Sequence, residues 1–200
     1  MLDKNKEVTI EHTFVEEITN KDTLSDYINS LYPISDGVEN EYGRNAIKSD
    51  SIEYMQKYFY SFWKERSNLR PEEEWKKYKE QVDYVNKMYG SSIKKGYVSD
   101  RGRVYLQYGA PDNTVRSVFS NDTYPYEMWH YYVLGNQRDK RFVFYNPELT
   151  GNDFFLLHSD AKGEIYTVNW QYKLYTPTSS TDQSRNLDDW KVKVNEDFQK

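Results

Sequence analysis

The chain has 200 residues, a net charge of −5 and a pI near 5.3, a balance that argues against the concentrated basic surface a nucleic-acid partner needs. It contains no Cys, which excludes disulfides, thiol catalysis and cysteine metal sites, and no apolar run approaches the length that spans a bilayer. Aromatics are 17% of the residues and 20 of them are Tyr, so the core must be assembled from rings whose hydroxyls reach water or a buried partner.

MLDKNKEVTI at the start has no apolar core and is not a signal peptide; an earlier, cleaved signal stays open. EVTIEHTFVEEI, 7–18, alternates Val8, Ile10, His12 and Phe14, which predicts a strand. DTLSDYINSLYP, 22–33, predicts a short helix opened by Asp22 and stopped before Pro33, and SDGVENEYGRN, 35–45, a loop. SDSIEYMQKYFYSFWKERS, 49–67, predicts a helix capped by Ser49 or Asp50, with Ile52, Met55, Phe59, Phe62 and Trp63 on one apolar face. RPEEEWKKYKEQVDYVNKMYG, 70–90, predicts a second, with Pro71 at its first position, three Glu in its first turn and Trp75, Tyr78, Val82, Val85 and Tyr89 along one side. The short link between them makes an antiparallel helical hairpin.

After residue 100 the period changes from helical to alternating. RVYLQY (103–108), TVRSVF (114–119), YEMWHYYV (126–133), RFVFY (141–145) and FFLLH (154–158) are the strand candidates. Gly109-Ala-Pro111-Asp112, Asn121-Asp122, Gly135-Asn136 and Gly151-Asn152 separate them, which predicts an antiparallel meander. TPTSSTDQSRN, 176–186, reads as a polar linker, and NLDDWKVKVNEDFQK as a docked element anchored by Trp190 or a frayed tail.

The helical hairpin followed by this strand run resembles the GWxTD-domain proteins over roughly residues 50–165. FWKERS, at 62–67, resembles the family's Phe-Trp-x-x-Arg-Asp element, and the next helix carries Asn86 where the family has Asn. GYVSDRGRVYLQYGAPD, 96–112, resembles the signature Gly-Trp-x-Thr-Asp-Arg-Gly-Arg-Val-Tyr-x-x-Tyr-Gly-x-Pro-Asp, with Tyr97 in place of Trp and Ser99 in place of Thr. YEMWHYY resembles its Tyr-Glu-x-Trp-x-Tyr strand and FFLLHS its late strand. The resemblance implies a bacterial protein of the periplasm, the outer membrane or the secreted fraction, and brings no catalytic residue with it.

The glycines of 96–112 lack the spacing of either phosphate-binding loop. The motif residues Gly96, Tyr97, Ser99, Asp100, Arg101, Gly102, Arg103, Gly109, Pro111 and Asp112 therefore read as a structural turn. Ser99 and Asp100 accept turn amides, Gly102 takes positive φ, Arg103 pairs with Asp100 or Asp112, and Gly109–Asp112 closes the first hairpin. The functional alternative gathers Asp100, Arg101, Arg103 and Asp112 into a hydrolytic cluster, although arginines beside carboxylates favour plain ion pairs. His12, His130 and His158 have no zinc spacing and support no triad, so no metal and no cofactor is expected.

On 126–133, Glu127, Trp129 and Tyr131 point one way and Tyr126, Met128, His130 and Tyr132 the other. With Tyr105, the second set is the candidate ligand surface, suited to sugars or a protein partner unless a helix or the C-terminal segment covers it. The expected fold is α+β: the helical hairpin on a four- to five-stranded antiparallel sheet. The expected division is an N-terminal extension at 1–48, the GWxTD-like domain at 49–165 and a C-terminal segment at 166–200. The leading function is a non-catalytic envelope or secreted module that associates with other proteins; the alternatives are a glycan-binding module and the hydrolase.

Overall fold

The computed structural model describes residues 13–118, 123–149, 151–175 and 187–200, with only the helical backbone given for 187–192. Among them are seven α-helices and one four-stranded antiparallel sheet, so the fold is α+β. The chain divides into two compact units, one ending at Lys79 and one beginning at Glu80. That boundary differs from the divisions at 48 and 165 expected from sequence.

The first unit is helical. After a 3₁₀ turn at Phe14–Glu17 come α1 (Lys21–Ser30), α2 (Gly37–Lys48), α3 (Ile52–Arg66) and the first part of α4 (Pro71–Tyr89). The strand expected at 7–18 is therefore a 3₁₀ turn where it is described, and its residues 7–12 lie outside the described residues. The expected loop at 35–45 is mostly α2. Asp36 accepts from Glu39 N at 2.8 Å and Glu39 returns a carboxylate to Asp36 N at 2.9 Å, a reciprocal cap that starts a helix despite two glycines. Ser51, not Ser49 or Asp50, caps α3, with its hydroxyl on Tyr54 N at 3.4 Å. The aromatic faces of α3 and α4 meet: Phe59 contacts Trp75 edge to face and Trp63 meets it at a tilt, at 4.8 and 5.7 Å between ring centres.

The second unit holds the last turns of α4, a 3₁₀ turn at Gly96–Val98, α5 (Asp100–Tyr108), the strands β1 (Asn113–Ser117), β2 (Tyr126–Leu134), β3 (Gln137–Tyr145) and β4 (Phe155–Ser159), then α6 (Trp170–Lys173) and α7 (Leu187–Gln199). The strands pair in sequence order, the meander expected. Gly135, at φ 59°, supplies the positive-φ first position of the two-residue turn between Leu134 and Gln137.

The expected strand at 103–108 is a correction: it belongs to α5. Ser99 caps that helix through Gly102 N at 3.1 Å, and Gly109 at φ 87° ends it, rather than closing a first hairpin. The helix that lies on the sheet within this unit is thus α5, joined by Tyr89 of α4. Val104 packs into the cluster of Trp129, Tyr131, Phe142, Phe144, Phe154 and Leu156. The other face of the sheet, with Tyr126, Met128, Val143 and Leu157, lies under Trp170 and Leu174 and under Val194 of α7.

Candidate functional site

Four stretches that carry the family resemblance meet at the start of α5: Asn86, the 96–112 signature, YEMWHYY and FFLLHS. Gly96 lies so close to α4 that a Cβ there would sit 1.9 Å from the Val85 carbonyl oxygen, and one on Gly102 would sit 2.0 Å from the Gly96 oxygen. These two close approaches let α4, the 96–98 turn and α5 interlock backbone to backbone. Gly102 is helical and needs no positive φ, which corrects the expectation; its role is close approach. Asn86 reaches across from α4 to accept from Tyr97 N at 3.3 Å, and Tyr97, in the place of the family's Trp, is buried.

Each polar residue that follows is bound to a different part of the same unit. The Ser99 hydroxyl donates to Gly96 O at 2.7 Å. The Asp100 carboxylate accepts from Leu156 N at 2.6 Å, which satisfies an amide of the edge strand β4. Arg101 Nη1 donates to Glu127 Oε2 at 2.9 Å, and its Nη2 donates to the main-chain and side-chain oxygens of Asn152 at 2.5 and 2.7 Å. Its guanidinium sits over Phe154 and Tyr89 at 4.2 and 4.8 Å from the ring centres. Arg103 forms a two-pronged pair with Glu164 at 2.8 and 2.7 Å, instead of pairing with Asp100 or Asp112. Tyr108 O–H completes that group by donating to Glu164 at 2.8 Å.

Arg101 is the centre of this junction. Only 2% of the residue is exposed, and burial lowers its pKa from the ordinary guanidinium value while the Glu127 charge pulls it back up. Glu127 is itself held by Trp129 Nε1–H at 2.7 Å, so the Tyr-Glu-x-Trp strand supplies both the counter-ion and the ring that fixes it. Burial pushes the Tyr108 hydroxyl up to about 12, aided by the Glu164 carboxylate it binds. Chemically the cluster holds geometry: its arginines are paired, and its carboxylates accept from amides, an indole or guanidinium groups. The sequence does not mark Glu127, Asn152 or Glu164 as partners of these arginines, since they stand outside the 96–112 signature. For Glu127 the signal was present, in an acid two residues before the strand's buried Trp.

Asp112 lies elsewhere and accepts from Tyr132 N on β2 at 2.7 Å, so it does not share a centre with Asp100. Pro111 follows α5 on the way to β1.

The candidate ligand surface is not an open platform. Tyr126, Met128 and His130 are buried, Tyr132 is exposed, and Tyr105 lies on α5, where its ring meets Trp129 at 6.5 Å. What covers the sheet here is α6 and α7, through Trp170, Val194 and Phe198. The Trp190 side chain lies outside the described residues. His130 Nε2 and Asp139 Oδ1 lie 2.7 Å apart, and Arg141 Nη1 is 3.0 Å from the same oxygen; Arg141 first and His130 second hold the Asp139 carboxyl below its usual value. Among the described residues no group of three or more His, Cys, Asp or Glu is arranged to hold a metal ion.

The first unit carries a groove of about 240 Å³ between α2 and α3, lined by Tyr42, Tyr54, Tyr58 and Phe62 with Glu39, Lys57, Ser61 and Glu65. Arg66, the arginine of the FWKERS element, holds two of these lining residues. It binds Glu39 through both oxygens at 2.7 and 2.9 Å and lies 3.5 Å over the Phe62 ring.

A family model described as the GWxTD domain matches residues 3–174, so the chain belongs to the GWxTD-domain family. No curated protein and no solved structure matches the chain.

Proposed function

We propose that this GWxTD domain is a non-catalytic module that works by associating with other proteins, in the bacterial envelope or after secretion. One observation carries the reading: Ser99, Asp100, Arg101 and Arg103, the polar residues of the signature, all bind within their own unit. A motif whose hydrogen-bonding groups tie a helix to the 96–98 turn, to β2, to β4 and to the segments on either side of β4 sets a shape, and the surfaces of that shape then do the work. A hydrolase built on Asp100 and Asp112 needs both carboxylates at one reacting centre. Asp100 instead serves Leu156 on β4 and Asp112 serves Tyr132 on β2. The glycan reading loses its platform, because Tyr126, Met128 and His130 are buried. The envelope or secreted setting rests on the family resemblance and is checked by reading the gene upstream for a signal or lipid anchor.

Two measurements on the purified chain and in cells test the module reading. Photo-cross-linking in cells is expected to trap a defined protein partner, and a screen of ester, phosphate, peptide and glycoside substrates to give no turnover. Turnover that disappears in Asp100→Asn at an unchanged melting temperature overturns it, as does specific capture on a glycan array with no protein cross-link.

A further inference from the structure

The groove between α2 and α3 lies wholly within the first unit, and half of its lining is aromatic: Tyr42 on α2, with Tyr54, Tyr58 and Phe62 on α3. Residues four apart share one side of a helix, so the three rings of α3 form a single ridge. Tyr58 fixes that ridge against α2. Its hydroxyl donates to Glu39 O at 2.9 Å, and Gly43 leaves it room, since a Cβ there would sit 3.0 Å from the phenol oxygen. Tyr42 and Tyr54 are different from the core rings. They are 57% and 43% exposed and meet no other aromatic ring among the described residues, so their faces are open to a ligand.

Two carboxylates stand beside these rings, Glu39 and Glu65. Arg66 above all holds the Glu39 carboxyl below its usual value, so it is ionised. Glu65, one helical turn after Phe62, has no ion pair among the described residues. The chain already uses a ring of this groove to hold a cation: the Arg66 guanidinium lies 3.5 Å over Phe62. Among the described residues no cation lies on Tyr42, Tyr54 or Tyr58. Lys57, the one cation of the lining, is exposed and stands about two turns before Glu65, at the other end of the groove.

This combination selects one kind of ligand. A hard metal ion asks for a full shell of oxygens, which rings do not supply. An anion meets two carboxylates. A weakly hydrated organic cation is attracted to ring faces and to a carboxylate close by, and it needs no hydrogen-bond acceptor shell. We propose that the groove is a binding site for a small alkylammonium ligand of the trimethylammonium type, its charged head beside Tyr42, Tyr58 and Glu65. The cavity, about 240 Å³, has room for such a head with a short tail running towards Tyr54.

The test titrates the full chain with choline and with its neutral carbon isostere, in which a tert-butyl group replaces trimethylammonium. Calorimetry and NMR follow both. Choline is expected to bind one to one and at least about tenfold more tightly than the isostere. Tyr42→Leu and Tyr54→Leu keep an apolar wall and remove the ring face. Both positions are exposed, so the melting temperature should hold while the preference for the cation falls severalfold. Glu65→Gln should weaken choline and leave the isostere unchanged, and Lys57→Gln should leave choline binding equal or tighter. Equal affinity for choline and isostere overturns the proposal, as does the absence of saturable binding, or a preference that survives both Leu substitutions. Loss of choline binding in Lys57→Gln also overturns it, because the lysine would then be the anchor. A free cation and a lipid headgroup carry the same group, and vesicles of phosphatidylcholine tell them apart. Sedimentation of the chain with the vesicles, reversed by free choline, supports the site as a headgroup reader; choline binding without sedimentation supports it as a site for a soluble ligand. The protein-association reading does not depend on this groove, and a negative result here leaves it standing.

Discussion

Arg101 on α5 donates to Glu127 on β2 at 2.9 Å, and their side chains are only 2% and 11% exposed. The arginine of one family motif is therefore the counter-ion of the glutamate in another, although 26 residues separate them. Removing one partner of a buried pair strands a charge, which costs about 3–5 kcal/mol. Arg101→Met is expected to destabilise by that amount. Adding Glu127→Gln should recover part of the loss, because Gln is neutral and still offers Trp129 Nε1 an acceptor. Urea unfolding of both singles and the double decides it; strictly additive losses would mean the two residues do not act as a pair.

The glycines give a prediction in which helix propensity points the wrong way. Ala is the better helix former by about 1 kcal/mol, and Gly102 lies inside α5. A Cβ at that position would nevertheless sit 2.0 Å from the backbone oxygen of Gly96, which has no flexible end to give way. Gly102→Ala is expected to lose more than the about 1–3 kcal/mol typical of overpacking. At Gly37, the first residue of α2, a Cβ meets nothing within 4 Å, so Gly37→Ala should be neutral or mildly stabilising. Asp100→Asn keeps an oxygen for Leu156 N and should cost less than Gly102→Ala. Equal melting temperatures for Gly102→Ala and the parent would remove the interlocked glycines from the account.

How far the sequence reveals this fold depends on where each element gets its stability. The segments α3 and α4 advertise themselves through long apolar stripes, because each buries one side over many residues, whereas β2 through β4 show as short aromatic and branched runs between turn residues, buried on both faces of the sheet. The segment 103–108 misleads because nine residues of α5 are too few to display a helical period, and Arg-Val-Tyr-Leu-Gln-Tyr alternates by accident. Its helix is fixed by Ser99 before it and Gly109 after it, and in the sequence both residue types look equally like turn residues. At α2, Gly and Asn suggest a loop, while Asp36 and Glu39 stand at the spacing of a reciprocal cap. The partners of the signature were less legible. Asn152 and Glu164 meet Arg101 and Arg103 across 51 and 61 residues, separations that no local pattern encodes.

In the first unit Trp63 and Trp75, from the apolar sides of α3 and α4, meet with ring centres 5.7 Å apart. Trp63 is 3% exposed and also contacts Phe59, Phe62 and Tyr78. Its indole N–H has no hydrogen-bond partner among the described residues, so the side chain contributes through packing. Trp63→Ala is expected to destabilise by about 3–5 kcal/mol, and Trp63→Phe by distinctly less, since the removed ring carries the unpaired donor with it. Denaturant melts followed by far-UV circular dichroism measure both. An unchanged midpoint for the Ala variant would contradict the burial.

The last prediction concerns pH and His158. Its ring stacks on Trp170 at 5.5 Å and lies 6.0 Å from Phe198, while Nδ1 accepts from Thr167 N at 3.1 Å. An Nδ1 that accepts cannot carry a proton, so the folded chain holds the neutral tautomer with its hydrogen on Nε2. Burial lowers the His158 pKa from its ordinary 6.5, against the opposing pull of the Asp160 carboxylate. Above 6.5 the ring is neutral in both folded and unfolded chains, and its contribution to stability is complete. As pH falls below that value, the unfolded chain takes up a proton that the folded ring resists, so stability declines until the folded pKa is passed. His158→Gln leaves an acceptor for Thr167 and nothing to titrate. Between pH 7.5 and pH 5 the parent's melting temperature is therefore expected to fall more steeply than that of His158→Gln, with His130 and His12 common to both. Parallel curves would show that His158 is no less easily protonated in the folded chain than in the unfolded one.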